Sequence, residues 1–284
     1  MNTTIQTLYK DARQTLSLAG IDSPALDARI FIKAVLGITD ADLIAGDDRL
    51  VSAAEEAALS AMLDRRVAGE PVSRILGRRE FWGMDFIVTP DVLDPRPDTE
   101  TLVQAAVDMM RARPPARILD LGTGSGCILI SLLREFPTAQ GVAVDISESA
   151  LNIARQNAER HDVAHRVNFL QGRWFEPVTG LFDLIVSNPP YIPNPDIESL
   201  DREVRNHDPI LALAGGDDGY DAYRTIIKGI KTHAASGVLC YLEIGINQGE
   251  NVARLAEESN LCVDRIIPDI AGIPRAVEIS CGDK

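Results

Sequence analysis

Residues Ser187 to Pro193 read SNPPYIP and follow the apolar run FDLIVS. That run has the composition of a buried strand, so a polar amide, two rigid rings and an aromatic emerge together at a strand end. Asn188 offers a side-chain carbonyl as an acceptor. Pro189 has a carbonyl but no N–H, and its ring stiffens the chain. Two fixed acceptors match a planar NH2 group, whose two hydrogens need two partners. Tyr191 adds a flat face for stacking. An amide nitrogen is a poor nucleophile because its lone pair is delocalised. Holding both hydrogens out of plane, and favouring charge on nitrogen, would turn the lone pair toward an electrophile. A methyl group on a positively charged sulfonium is such an electrophile. The proton can leave after transfer, so no strong base is needed. This suits a chain in which His161, His165, His207 and His233 form no catalytic constellation, with His161 and His165 expected to be exposed.

Three other stretches could bind a ligand. Asp120-Leu121-Gly122-Thr123-Gly124-Ser125-Gly126 joins a strand to a helix. Its glycines allow a sharp turn and close backbone approach, and the helix start offers unpaired N–H groups. The spacing is GxGxG, neither the GxGxxG of dinucleotide binders nor a phosphate loop, and a tight turn without a ligand is the competing explanation. Asp145 ends the strand GVAVD, where a carboxylate commonly accepts ribose hydroxyls; Asp145 or Ser147 as a helix cap is the alternative. Ile146 follows it. Trp174, in QGRWFEP, could cover an adenine ring or simply pack in the core. With Asn188, all four stretches fall at the carboxyl ends of successive strands, where open parallel sheets bind ligands.

The elements that must position them follow from periodicity. Residues 1–79 show helical spacing at Ile5, Leu8, Ala12 and Leu16, again from Ala25 to Leu36, and from Ser52 to Val67. They predict a small helical bundle, with Arg65, Arg66 and Glu70 on a solvated face. FWGMDFIV predicts a hairpin, and Pro90, Pro95 and Pro97 make residues 80–98 a stiff linker. Helix is expected over Thr99 to Arg111. From Arg117 strands and helices alternate to the end of the 99–284 domain, which predicts an α/β fold with a largely parallel sheet covered on both faces. Ile192 to Asp218 is expected to be a long loop.

The 284 residues suffice for a large core, and 45% hydrophobic with 25% charged residues is ordinary globular composition. No apolar run approaches the roughly 20 residues of a membrane span. MNTTIQTLYKDARQ lacks the basic start and apolar stretch of a signal peptide, so a cytoplasmic protein without membrane attachment is expected. Cys127, Cys240, Cys262 and Cys281 show no metal-binding or disulfide spacing, and no bound metal is expected; reduced, mostly buried thiols are the simpler expectation. Net charge is −14, with 10 basic and 12 acidic residues up to Glu80 and 18 basic and 30 acidic after it. Such an acidic second part argues against a nucleic-acid substrate, although a local basic groove is compatible with a negative total.

These residues resemble the class I S-adenosylmethionine-dependent methyltransferases with an NPPY motif. More narrowly, the chain resembles the peptide chain release factor N5-glutamine methyltransferase family (HemK/PrmC type) over nearly its whole length. Glu80-Phe81-Trp82-Gly83 and Val92-Leu93-Asp94-Pro95-Arg96-Pro97-Asp98-Thr99-Glu100 discriminate best. The resemblance implies a Rossmann-like domain with a seven-stranded, mostly parallel sheet behind a helical substrate-recognition domain and a β-hairpin linker. It implies methyl transfer from S-adenosylmethionine, leaving S-adenosylhomocysteine, to the glutamine amide of the Gly-Gly-Gln motif in class I release factors, supporting translation termination. Asp120, Gly122, Thr123, Gly124, Ser125 and Gly126 would then lie along the methionine part of the cofactor. Asp145 and Ile146 would take the ribose region, and Trp174 the adenine. Asn188 would border cofactor and target amide, which Pro189 shares, with Pro190, Tyr191 and Arg96 around the substrate. A monomer is expected. Two departures stand out: Arg173 occupies a position where the family often has an acidic residue, and Asp94 replaces an apolar one. Methylation of a ribosomal-protein glutamine shares the same loop and cofactor, and the exocyclic amines of adenine and guanine present the same two hydrogens. A binding module without activity is the non-enzymatic alternative, supported only by Arg173.

Overall fold

The computed structural model describes residues 3–45 and 49–282; the outermost residues of the expected 1–79 and 99–284 spans lie outside that description. The chain divides into two compact units, Met1–Gly77 and Arg78–Lys284. The hairpin and the proline-rich segment therefore belong to the second unit.

The first unit holds α1 (Ile5–Leu18), α2 (Pro24–Leu36), α3 (Asp40–Ala45), α4 (Ala53–Val67) and α5 (Val72–Leu76). Thr4 caps α1, Pro24 opens α2, and Ser52 with Glu55 forms a reciprocal capping box on α4. Ile5, Ala12 and Leu16 meet Phe31, Ile32, Leu59 and Leu63 in one apolar cluster. The short helices α3 and α5 are too brief for a periodic signal. Arg66 corrects the expectation of a solvated face. It lies seven residues after Leu59 and three after Leu63, hence on the inward stripe of α4. Its guanidinium is buried and pairs with buried Asp27 at 2.7 Å. Arg65, one residue earlier, points outward and pairs with Glu70.

The second unit begins with the hairpin β1 (Arg78–Phe81) and β2 (Met84–Ile87), turning at Trp82-Gly83. After a 3-10 turn at Pro97–Thr99 come α6 (Glu100–Met110), β3 (Arg117–Leu121), α7 (Cys127–Glu135), β4 (Gln140–Asp145), α8 (Glu148–Arg160), β5 (Val167–Gln171) and β6 (Phe182–Ser187). Then follow α9 (Arg202–His207), α10 (Asp221–His233), β7 (Ala234–Glu243), α11 (Gly249–Glu258), β8 (Cys262–Pro268) and β9 (Pro274–Ser280). The seven-stranded sheet runs β5-β4-β3-β6-β7-β9-β8, parallel except for β9, which is antiparallel to both neighbours. The order departs from β3 in both directions, so a crevice opens at the carboxyl ends of β3 and its neighbours. Apolar clusters cover both faces, one built with α6 and α7, the other with α10 and α11.

Three expectations are corrected here. Residues 192–218 are not one open loop: they contain 3-10 turns at Asn194–Ser199 and Ile210–Ala212 as well as α9, and Ile192 bridges Ala214. His161 is half-buried, because hairpin β1–β2 packs beside α8; its Nε2 lies 3.0 Å from the Asp85 carbonyl and its ring 4.9 Å from that of Phe86. Of the thiols, Cys127 and Cys240 are buried, but Cys262 on edge strand β8 is exposed and Cys281 is half-buried. Among the described residues no helix is long and apolar enough to cross a membrane, and no group of three or more His, Cys, Asp or Glu could hold a metal.

Asp27→Ala would remove the carboxylate that lies 2.7 Å from the buried Arg66 guanidinium. The expected cost is on the order of 3 kcal/mol, read as faster amide exchange in α1, α2 and α4 of the intact chain; unchanged exchange there would show the pair to be dispensable.

Candidate functional site

A cavity of ≈ 310 Å³ lies at the carboxyl ends of the central strands. Its lining brings together Gly122, Thr123, Gly124, Ser125, Asp145, Ile146, Trp174, Asn188, Pro190 and Arg96, residues separated by up to 94 positions in sequence.

The glycine loop is held by its neighbours. Gly122 N–H and Thr123 N–H both donate to the Val144 carbonyl, at 2.8 and 2.9 Å. Gly124 has φ 54 and nothing within 4 Å of the position a Cβ would take, so the backbone here faces open space. Gly126 opens α7 at φ 81; a Cβ there would lie 3.0 Å from Ile130 Cδ1 and 3.3 Å from Ala154 Cβ, so tight packing of α7 against α8 also requires glycine. Asn157, buried in α8, donates to the Ser125 carbonyl and exchanges hydrogen bonds with the Ile87 backbone. The hairpin thus braces the loop from behind.

Asp145 accepts Gly124 N–H on one carboxylate oxygen and Ser147 N–H on the other, both at 2.9 Å. Each oxygen keeps a lone-pair direction for a hydroxyl. Ser147 separately caps α8 through Ala150 N–H, so the cap does not occupy the Asp145 carboxylate. Burial raises the Asp145 carboxyl above its ordinary value, against the backbone hydrogen bonds that lower it. Trp174 sits at φ 51, and its buried Nε1 has no hydrogen-bond partner. An unpaired indole N–H against a cavity wall is an orphan that a bound acceptor would satisfy. Arg173 lines the same wall.

Asn188 follows β6 directly. Its Nδ2 donates to Thr99 Oγ1 at 3.2 Å, and no described residue donates to its Oδ1. Thr99 lies in the segment 96–100, which is tied down at each polar position. Arg96 pairs with buried Asp208 at 2.6 Å, Asp98 with Arg275 at 2.8 Å, and Glu100 accepts Trp82 N–H at 2.8 Å. Asp94, two residues before Arg96, is buried and 3.9 Å from Arg79, so its charge is matched locally.

Four expected site residues do not line the cavity. Gly126 serves α7, as above. Asp120 is fully buried beneath the loop, its Oδ2 accepting Thr123 Oγ1 at 2.6 Å. Pro189 is buried, and the Tyr191 ring packs against Gly245, while its carbonyl accepts Gln248 Nε2. Conversely, Asp91, Val92, Leu93 and Pro209–Ala212 line the cavity, and periodicity gave no sign of this because they sit in irregular segments. Glu243 was also missed. It ends β7 in the apolar stretch LCYLEIG, fully buried, where Thr99 and Asn188 reach its carboxylate. A lone carboxylate ending a buried strand was the available signal. Cys127 lines the cavity, but burial pushes its thiol up to about 12, which leaves no thiolate nucleophile.

A family model described as "PrmC N-terminal domain" matches residues 7–77, and one described as "Methyltransferase domain" matches residues 113–261. The release factor glutamine methyltransferase of Bradyrhizobium diazoefficiens is 47% identical over 276 residues, covering 94% of this chain and 93% of that protein. Its counterpart in Rhodospirillum rubrum is 45% identical, covering 92% and 80%. Among solved structures, a methyltransferase from Pyrococcus furiosus aligns with TM-score 0.52 at 17% identity, over 79% of this chain and 100% of that one. The catalytic domain of hMettl16 aligns at 0.54 and 15%, over 84% and 86%. At these identities the structural likeness speaks for the fold alone.

Burial pushes the Asp120 carboxyl up to about 7, partly opposed by the Thr123 hydroxyl and reinforced by Asp145. Its folded-state value is thus raised, so the stability it contributes is full below 3.8 and is lost as pH rises toward about 7. Asp120→Asn removes that dependence. The stability of the variant relative to the parent, in ligand-free protein, should increase through that window and level off above it; a constant difference would show that Asp120 titrates normally.

Proposed function

The chain belongs to the release factor glutamine methyltransferase family, and on that premise we propose that it methylates the side-chain amide of the glutamine in the Gly-Gly-Gln motif of class I release factors, using the cavity between β3, β4 and β6. It is an S-adenosylmethionine-dependent methyltransferase by family and fold. What most supports the substrate assignment is Asn188, whose Nδ2 is engaged behind it by Thr99 while its Oδ1 is left as an acceptor.

The residues present suit the cofactor. S-adenosylmethionine supplies, when bound, an electrophilic methyl group on a sulfonium. Asp145 would accept from ribose hydroxyls with the lone pairs its two backbone donors leave free. The face of Trp174 would cover the adenine, and its unpaired Nε1 would gain an acceptor. The open backbone at Gly122 to Ser125 would lie along the methionine part. Asp120, held under the loop, would act by fixing Thr123. With Arg173 in place of a carboxylate, recognition of the adenine rests on the Trp174 side of the cavity.

Asn188 Oδ1 would accept one hydrogen of the target amide, and the Pro189 carbonyl the other. Neither group can donate at that point, since Pro189 lacks an N–H. Such a pair would hold the amide nitrogen in place and stabilise positive charge as it develops there. Pro190 would form the adjoining wall. Tyr191, packed on Gly245, would brace the loop, and burial raises its phenol well above the ordinary value, so it would stay neutral. Arg96, engaged by Asp208, would shape the rim more than it would pair with substrate. An acidic chain suits a protein partner better than a polyanion, and the first unit would contribute recognition away from the glutamine.

Labelled S-adenosylmethionine with an intact release factor, a glutamine-replaced factor, ribosomal proteins and bulk RNA tests the substrate. Label should appear on the intact factor alone, at glutamine by mass spectrometry; label only on ribosomal protein or RNA would overturn the assignment. Asn188→Ala should lower turnover about 10²–10³-fold, as loss of one preorganised polar group does, with the cofactor Kd little changed. Asp145→Ala should weaken cofactor binding about 10-fold or more, the equivalent of one charge-assisted hydrogen bond. Calorimetric titration giving an unchanged Kd for that variant would reject the ribose role.

A further inference from the structure

Glu243 ends β7, two strands from β3 in the sheet, and its carboxylate is buried. Ser187 pairs with Leu242 between β6 and β7, so Asn188 and Glu243 follow side by side at the strand ends, and Thr99 and Asn188 both bear on the Glu243 carboxylate. Asn188 Nδ2 also donates to Thr99 Oγ1 at 3.2 Å. With Glu243 ionised and able only to accept, one arrangement of protons suits all three groups. In it the Thr99 hydroxyl hydrogen would turn to Glu243, the Thr99 lone pairs would face Asn188 Nδ2, and the Asn188 amide hydrogens would be turned from the substrate side.

We infer that Glu243 is a positioning residue, which acts through Thr99 to fix the end of the Asn188 amide that faces the cavity. The inference rests on the assignment of Asn188 Oδ1 as the acceptor for the target amide. An ionised carboxylate has only acceptor positions. Were Asn188 to flip, its Oδ1 would meet the Glu243 carboxylate and a Thr99 oxygen whose hydrogen is already committed. Acceptor would then face acceptor in a buried site, where such contacts are costly. The flipped amide would also present N–H groups to a substrate NH2. Glutamine at 243 could offer a donor instead and would lose this discrimination, although its shape is nearly the same.

The setting accounts for how a carboxylate is kept there. Arg275 is the nearest cationic influence on it, paired in turn with Asp98 at 2.8 Å and Asp269 at 3.1 Å. The other titratable groups facing Glu243 are Asp98, whose charge acts against ionisation, and Tyr191, Tyr223 and Cys127, whose own values burial holds high. Tyr223 donates to the Glu243 main-chain carbonyl at 2.8 Å and so fixes the strand end without satisfying the carboxylate. Oε2 keeps no hydrogen-bond partner. A purely structural residue at this position would be better served by an apolar side chain.

Burial, reinforced by Asp98 and opposed by Thr99, Arg275 and Asn188, pushes the Glu243 carboxyl up to about 7. Only the ionised form enforces the amide orientation, so turnover at saturating cofactor should fall as pH drops below that value. Glu243→Gln should lower kcat about 10–100-fold, the range for losing an outer partner that orients a contacting group. It should leave the cofactor Kd within about twofold and abolish the acid limb of the profile. The Asn188 side-chain NH2 signals, slow to exchange by NMR in the parent, should exchange rapidly in the variant. Thr99→Val should reproduce both effects and Thr99→Ser should restore them, which keeps the test open if Glu243→Gln folds poorly. Parental kcat with the limb retained, or unaltered Asn188 amide exchange, would overturn the inference. If the parent enzyme itself fails to label the release factor, the substrate assignment falls, and the amide-exchange comparison still decides the role of Glu243.

Discussion

A side-chain amide has a donor end and an acceptor end of nearly equal size, and the site depends on which end Asn188 turns to the cavity. Shape cannot decide this; only hydrogen-bond partners can. The sheet sets Asn188 immediately after β6, at the edge where its side chain can reach Thr99. Thr99 is itself immobilised by the short run from Arg96 to Glu100. Within it, Arg96 engages the segment after α9, Asp98 engages β9 through Arg275, and Glu100 engages the hairpin turn. Five consecutive residues thereby tie several distant parts of the second unit to one amide.

The Asp145 side of the crevice is built on the same economy of backbone contacts. Gly122 and Thr123 both hang from Val144, the residue before Asp145, and Asp145 returns a hydrogen bond to Gly124. The loop and the carboxylate therefore form one closed unit across β3 and β4. Parallel pairing makes this possible, because both strands end on the same side of the sheet. Asn157 extends the unit to the hairpin through Ser125 and Ile87. The hairpin is for that reason a support of the binding loop, and not merely a connection between two folded parts.

Much of this was legible in the sequence because it depends on local pattern. The strand ends carrying Asp145, Trp174 and Asn188 stood out as polar or aromatic breaks in apolar runs. The alternation after Arg117 gave the sheet, and the GxGxG loop its turn. What periodicity missed lies in contacts between distant segments. Arg66 was read as solvated because its neighbour Arg65 is, yet the two differ by 100° around α4. Asp208 follows a short helix and pairs with Arg96 far away in sequence, and the turn holding Leu211 leads into the bridge between Ile192 and Ala214. Glu243 appeared as one charge in a strand that otherwise signalled only burial, and its meaning appears once β7 is seen beside β6.

The distribution of cost across the second unit follows the same division. Asp120 Oδ1, Trp174 Nε1 and Glu243 Oε2 are all buried without partners, and each such group is destabilising by itself. All three lie at the carboxyl edge of the sheet, around or beneath the cavity. Away from the cavity, Tyr241 Oη on β7 is a further such group, but Ile118, Leu119, Val144, Leu184 and Ile185 are packed in two apolar clusters. Strand pairing and apolar burial thus supply the stability, and three of the buried polar groups held short of full satisfaction gather at the edge. An edge whose orphans were all satisfied internally would be more stable, but it would have fewer groups left to engage a ligand.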